Sequence, residues 1–404
     1  AAKEKEEEEE KREAAKAAAA ATAPPPPDAA AAAEPGNNEG AASIPLPPPS
    51  SFPRFEVLEG EPPADHVYFR EGLSEQGGGS SASSALPPPP RKWSKAVLKE
   101  WERLRAGLEE AEEEEGGEKK KEEAGGDDDE EARKRRKTND ADADNEDGKS
   151  SSPSNSAAPT IWVRAWESRL DLLRCAIAGP PGTPYHDHLF LFDLCLPRDY
   201  PNSPPKVAYH SFGLRVNPNL YENGKVCLSL LGTWAGRQGS SEVWSPERST
   251  LLQVLVSIQG LVLVKEPYYN EAGYEKRVGS AEGAKGSRLY SESAFLLSCR
   301  SALRLVKRPP MPFGGLVRSF YRHHRERLFR SCGAYLRNEI AVGEEEEEEE
   351  EGEKEEEKEG GTSASAATAT AANINEEEDK TSEGFRLALE QLLPRLRAGL
   401  DSIE

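Results

Sequence analysis

Arg215-Val216-Asn217-Pro218-Asn219-Leu220-Tyr221-Glu222-Asn223-Gly224-Lys225-Val226-Cys227-Leu228-Ser229-Leu230-Leu231-Gly232-Thr233-Trp234 is the stretch on which the fold turns. Its Asn, Pro and Gly residues mark an irregular loop, and the loop carries a cysteine. A free cysteine is most often a small buried hydrophobe. Cys175 and Cys195, on apolar strand-like runs, and Cys299 and Cys332, in helical patterns, are read that way. Cys227 lies among Asn, Gly and Lys, which sets it apart as a candidate reactive thiol.

Working outward, period-2 runs precede the loop: Ile161–Trp166, Leu170–Ile177, His188–Leu196 and a short Val207–Tyr209. A Gly179-Pro180-Pro181-Gly182 turn and a Tyr200-Pro201-Asn202-Ser203-Pro204-Pro205 elbow separate them. Four strands with tight connections predict an antiparallel meander. Helical patterns follow at Pro246–Val264, Ser280–Val306 and Gly315–Glu339. One precedes, Arg91–Leu108, with Trp93, Val97, Leu98, Trp101, Leu104 and Leu108 at three- and four-residue steps. Strands flanked by helices make an α+β fold.

The order of these motifs resembles the ubiquitin-conjugating enzymes. Asn219 precedes Cys227 by eight residues, and Asn223-Gly224-Lys225-Val226-Cys227-Leu228 matches the family's N-G-x-[IV]-C-L. Trp244-Ser245-Pro246, Leu252–Leu261, Gly179-Pro180-Pro181 and the Tyr200–Pro205 elbow match its other landmarks. Cys227–Trp234 and Pro267-Tyr268-Tyr269-Asn270-Glu271-Ala272-Gly273-Tyr274-Glu275 are similar to the large-enzyme branch, which includes plant phosphate-homeostasis enzymes and animal hybrid conjugating enzyme–ligases. The resemblance implies the UBC fold. It makes Cys227 the nucleophile that carries ubiquitin as a thioester. Asn219 then stabilises the oxyanion or holds the loop, two roles left open, and Asn217 stands where the family has a structural His. Tyr269, with Asn270 beside it, falls where the family positions the incoming lysine, although neither is a strong base. The partners implied are ubiquitin, the activating enzyme, protein substrates and a ligase, with no cofactor.

That chemistry suits the residues. A carrier between a thioester and an amine needs a group that is both nucleophile and leaving group, and a thiolate is both. Exchange between thioesters is nearly isoenergetic, so no strong base is required at Cys227. Attack by an amine builds charge on the carbonyl oxygen, where an amide donor helps. The alternative is a catalytically inactive scaffold binding ubiquitin or a partner, against which the retained Cys227 and Asn219 argue. An acidic interaction protein would leave the ordered motifs unexplained.

Composition bounds the rest. The 404 residues hold 73 acidic and 52 basic groups, a net charge of −21, with 36% hydrophobic and 31% charged residues. Thr160–Val342 carries 24 basic against 15 acidic residues, a net +9, which leaves −30 for the remainder. The expected organisation is a disordered region over 1–90 containing a segment, 52–69, that is either disordered or docked; a conjugating domain over 91–342 with a disordered insertion at 109–158; an acidic linker over 343–382; and an amphipathic helix within 383–404, kinked at Pro394. Removing 1–90 and 343–404 is then expected to spare the thioester chemistry. Leu251–Val264, the longest apolar run, falls short of the ~20 residues of a membrane span, and no signal region is seen. The chain opens on Ala1, so it reads as a processed or partial sequence. Five cysteines without C-x-x-C spacing read as reduced thiols in the cytosol or nucleus. Arg133–Lys137 is either a nuclear-localisation signal or a solvated charge block. His186, His188 and His323-His324 are not read as metal ligands. The Arg318–Arg337 series favours an acidic protein surface, or the chain's own Glu runs, over nucleic acid.

Overall fold

The computed structural model describes residues 47–70, 90–123, 160–233, 243–344 and 379–403. The Arg133–Lys137 cluster, Trp234 and nearly all of the Glu runs lie outside those residues. Five strands form one sheet in chain order: β1 (Phe55–Leu58), β2 (Ile161–Trp166), β3 (Arg169–Ala178), β4 (Leu189–Cys195) and β5 (Lys206–Tyr209). Strands β2 to β5 are the expected antiparallel meander. The four-stranded expectation is nevertheless corrected, because β1 pairs parallel to β2 with Phe55 opposite Val163 and Leu58 opposite Trp166. The N–H of Val163 donates to the Arg54 carbonyl at 2.7 Å, and β1 thereby covers an edge that would otherwise stay unpaired. Four residues carry too little pattern to announce such a strand; only the open edge of β2 selects it.

Alternation sends the sheet's side chains to two cores. Ile161, Val163, Leu173, Cys175, Phe190 and Phe192 face α1 (Arg91–Glu123) and α2 (Leu251–Ser257). Trp162, Ala176, Leu189 and Leu191 face α3 (Ala281–Lys307), α4 (Gly314–Leu336) and α5 (Glu383–Asp401). Both faces are covered, which is why β2 and β4 are buried along their whole length. In α1 the stripe is Trp93, Val97, Trp101, Leu104 and Leu108; Leu98, one step off it, is 46% exposed. The helix also runs on through 109–123, where an insertion was expected to begin. Propagating an existing helix costs far less than nucleating one, and the Ala, Glu and Lys residues there are good helix formers.

The α5 helix buries Phe385, Leu389, Leu392, Leu396 and Leu400, as its spacing implied. It continues through Pro394 as one element, with Pro394 on the exposed side. Segment 52–69 is docked. Arg174 and Asp193, both fully buried on β3 and β4, pair bidentately at 2.6 and 3.0 Å. Arg174 also donates to the Met311 carbonyl and to Asp65, while Asp193 accepts the Val67 N–H at 2.8 Å. One ion pair thus ties the N-terminal segment and the turn before α4 to the sheet. The described residues 47–70 carry this docked segment a few residues beyond 52–69, with the Ser319 hydroxyl donating to the Pro47 carbonyl.

Acid sensitivity follows from His188. It is fully buried, contacts the His186 carbonyl through Nδ1 at 2.7 Å, and burial lowers its pKa to about 4. An unfolded histidine titrates near 6.5. Between those values the unfolded chain binds a proton that the native chain does not, so stability falls as pH drops from about 6.5 to about 4. The loss expected is about 3 kcal/mol. Burial acts to raise Asp187, but hydrogen bonds from His186, His324 and Arg327 hold it well below the usual carboxylate range. Its contribution is therefore lost only below about pH 4. Urea titrations at pH 7, 5.5 and 4.5 should show a falling midpoint, and replacing His188 by Gln should flatten the dependence.

Candidate active site

Gly224 sets the loop after β5. Its φ is +87°, and a Cβ there would lie 2.8 Å from the Tyr209 carbonyl oxygen, so only glycine fits. The turn returns the chain against β5, where Ala208 and Lys225 pair as a bridge. From there Val226 points into the core and Cys227 follows, 3% exposed.

Two asparagines hold the other limb. Asn217 is wholly buried: its Nδ2 donates to the Tyr185 hydroxyl at 2.8 Å and to the Val262 carbonyl at 2.7 Å, and its Oδ1 accepts the Asn219 N–H at 2.8 Å. Burial pushes the Tyr185 phenol well up, which keeps it neutral as the hydrogen-bond partner. The amide thus performs a bridging task without a His. Asn219 spans to the backbone of Cys227: its Nδ2 donates to the Cys227 carbonyl at 2.8 Å, and its carbonyl accepts the Cys227 N–H at 2.9 Å. The Asn219 Oδ1 is buried with no hydrogen-bond partner among the described residues. Thr233 Oγ1 completes the frame, accepting from the Leu228 N–H and donating to the Val226 carbonyl.

Asn270, in the short helical turn Pro267–Asn270, donates to the Leu261 and Val262 carbonyls at 3.2 Å each. It shares the Val262 acceptor with Asn217 and so braces the same corner. Tyr269 packs on Tyr268, with ring centroids 5.4 Å apart. Slight burial, then Glu266 and Tyr268, raise its phenol pKa. The structure brings Asn270 to the loop; among the described contacts it brings Tyr269 to none of the residues around Cys227.

The sequence reading missed Tyr221, Arg215 and Glu271. The Tyr221 hydroxyl interacts with the Cys227 thiol; burial and then that sulfur raise the phenol pKa, while Arg215 opposes them. The Arg215 guanidinium lies 4.5 Å from the Tyr221 ring centroid and reaches Glu271 Oε2 at 3.2 Å. Tyr221 lies in the loop between Asn219 and Cys227, but the turn that places its hydroxyl at the sulfur has no periodic signal. Glu271 lies 44 residues beyond Cys227 and carries no local signal.

A groove of about 490 Å³ opens between Leu228–Leu230, which follow Cys227 in the chain, and Arg248, Gln253, Ser257 and Leu261. Burial pushes up Cys175 and Cys299, and Cys332 to about 12, so these three are held as thiols in apolar cores. Among the described residues no group of His, Cys, Asp and Glu is arranged to hold a metal, and no helix is long and apolar enough to cross a membrane.

Residues 138–294 match the family model described as ubiquitin-conjugating enzyme. The chain is 43% identical over 249 residues to the "Probable ubiquitin-conjugating enzyme E2 23" of Arabidopsis thaliana, covering 62% of this chain and 20% of that protein. It is 41% identical over 185 residues to the human "Dual E2 ubiquitin-conjugating enzyme/E3 ubiquitin-protein ligase BIRC6", covering 45% of this chain and 4% of the other. Among solved structures, the E2 domain of a Toxoplasma gondii ubiquitin conjugating enzyme is 29% identical, with 34% of this chain and 85% of that chain covered and a TM-score of 0.26. The chain therefore spans a fifth or less of the length of these two curated relatives.

Proposed function

Because the chain belongs to the ubiquitin-conjugating enzyme family, we propose that it accepts ubiquitin from the activating enzyme as a thioester on Cys227 and transfers it to substrate lysines. The observation that carries this reading is the loop itself. A cysteine with its backbone clamped on both sides by Asn219 stands beside a phenol, which is flanked in turn by a guanidinium paired to a carboxylate. In the loading step the Cys227 sulfur adds to the incoming thioester carbonyl and the donor thiolate leaves. In the transfer step a lysine amine displaces Cys227, with Tyr221 and Glu271 placed to steer the amine. Similarity to a dual enzyme supports ligase-like substrate selection alongside use of a separate ligase. Free cysteines without a disulfide support a cytosolic or nuclear setting as part of this reading.

Incubation with activating enzyme, ATP and ubiquitin should give an adduct on a non-reducing gel that a thiol reductant removes. A chain that forms none is not a conjugating enzyme. Replacing Asn219 by Ala separates its two roles. An oxyanion donor is worth about 10²–10³ in rate, so discharge to free lysine should fall by about that factor while loading falls far less. Equal losses in both steps would instead assign Asn219 to holding the loop.

A further inference from the structure

Lys225 stands two residues before the nucleophile and is exposed. Residues 225 and 226 lie in extended bridges, so side chains 225 and 227 leave the backbone on the same side. Both meet one ring: the Lys225 ammonium is 5.6 Å from the Tyr221 centroid, and the Tyr221 hydroxyl interacts with the Cys227 sulfur. Two residues of extended chain span about 6–7 Å, within the sweep of a lysine side chain. Val226 is locked between them in the core.

We propose that Lys225 is an acceptor for the acyl group held on Cys227, making the position a site of self-modification within one molecule. This rests on the thioester reading above. The Lys225 amine, after losing one proton to solvent, adds to the thioester carbonyl carbon. The C–S bond breaks as the C–N bond forms, the Cys227 sulfur leaves with the bonding electrons, and the second amine proton returns it to the thiol. The product is an isopeptide and a free Cys227, with no oxidant or cofactor consumed. A whole protein attached two residues from the sulfur then obstructs reloading, so the reaction limits the enzyme's own turnover when no other amine arrives.

The test uses the full chain with activating enzyme, ATP and lysine-free ubiquitin, and no added substrate. The measured quantity is the reductant-stable product formed per thioester loaded, with its attachment site found by peptide mass spectrometry. A tethered amine acts at an effective concentration on the order of mM, against about 1 µM for a second enzyme molecule. The rate should therefore not change with enzyme concentration, the isopeptide should map to Lys225, and Lys225→Arg should lower the rate about tenfold. Purified modified enzyme should reload poorly. If the thioester forms but the product maps to other lysines, or Lys225→Arg makes it at the unaltered rate, the proposal fails and the thioester reading stands. A rate proportional to enzyme concentration overturns the intramolecular step. Absence of any thioester removes both.

Discussion

Cys227→Ala should form no ubiquitin adduct at all, and Cys227→Ser should form one that a thiol reductant does not cleave. The serine oxygen makes an ester in place of a thioester, and an alkoxide is a much poorer leaving group than a thiolate. Accessibility alone would not choose this residue, since all five cysteines are buried. The environment chooses it. Cys175, Cys299 and Cys332 are raised by desolvation within apolar cores, whereas Cys227 abuts Tyr221 in the loop that Asn219 clamps. Serine at 175, 299 or 332 should therefore leave a reductant-sensitive adduct wherever the variant folds. A reductant-sensitive adduct surviving in Cys227→Ala would move the nucleophile elsewhere.

Removing 383–404 should unfold the domain, contrary to what the sequence led one to expect of the flanks. The helix contributes Phe385, Leu389, Leu392, Leu396 and Leu400 to the core that covers one face of the sheet. Its start is fastened as well: the Ser382 side chain caps the helix, and Ser382 N–H and hydroxyl both donate to the Glu292 carboxylate at 2.7 and 2.5 Å. Each Leu→Ala change in such a core costs about 2–5 kcal/mol, while a whole domain is held by about 5–15 kcal/mol. Loss of all five side chains exceeds what the domain can bear. Leu396→Ala alone should lower the unfolding free energy by about 2–5 kcal/mol in urea titrations. A chain ending at 382 that melts at the full-length temperature and loads ubiquitin normally would show the helix to be an ornament. Loss of loading in that truncation reports unfolding, so circular dichroism must accompany the gel.

The split between the two kinds of information runs along distance in the chain. The meander strands, the stripe of α1 and the eight-residue interval from Asn219 to Cys227 repeat or recur over short spans, and periodicity exposes them without knowledge of the fold. Phe385–Leu400 was legible as an amphipathic helix for the same reason, but its partner was not, because nothing local says which apolar faces will meet. Asn217 shows the converse. Read alone it was a departure from the family's His; in the structure its amide reaches Tyr185, Val262 and Asn219 at once.

By itself the sequence determined that an α+β domain lies between acidic flanks and singled out Cys227, in a loop rich in asparagine, as the candidate nucleophile. The tertiary structure decided that β1 closes the sheet edge, that α5 belongs to the core, and that Arg215 joins Glu271 to the Tyr221 beside the thiol. Each of these joins segments tens to hundreds of residues apart, and such pairings are selected by open edges, unburied faces and unmatched charges that exist only once the chain has folded.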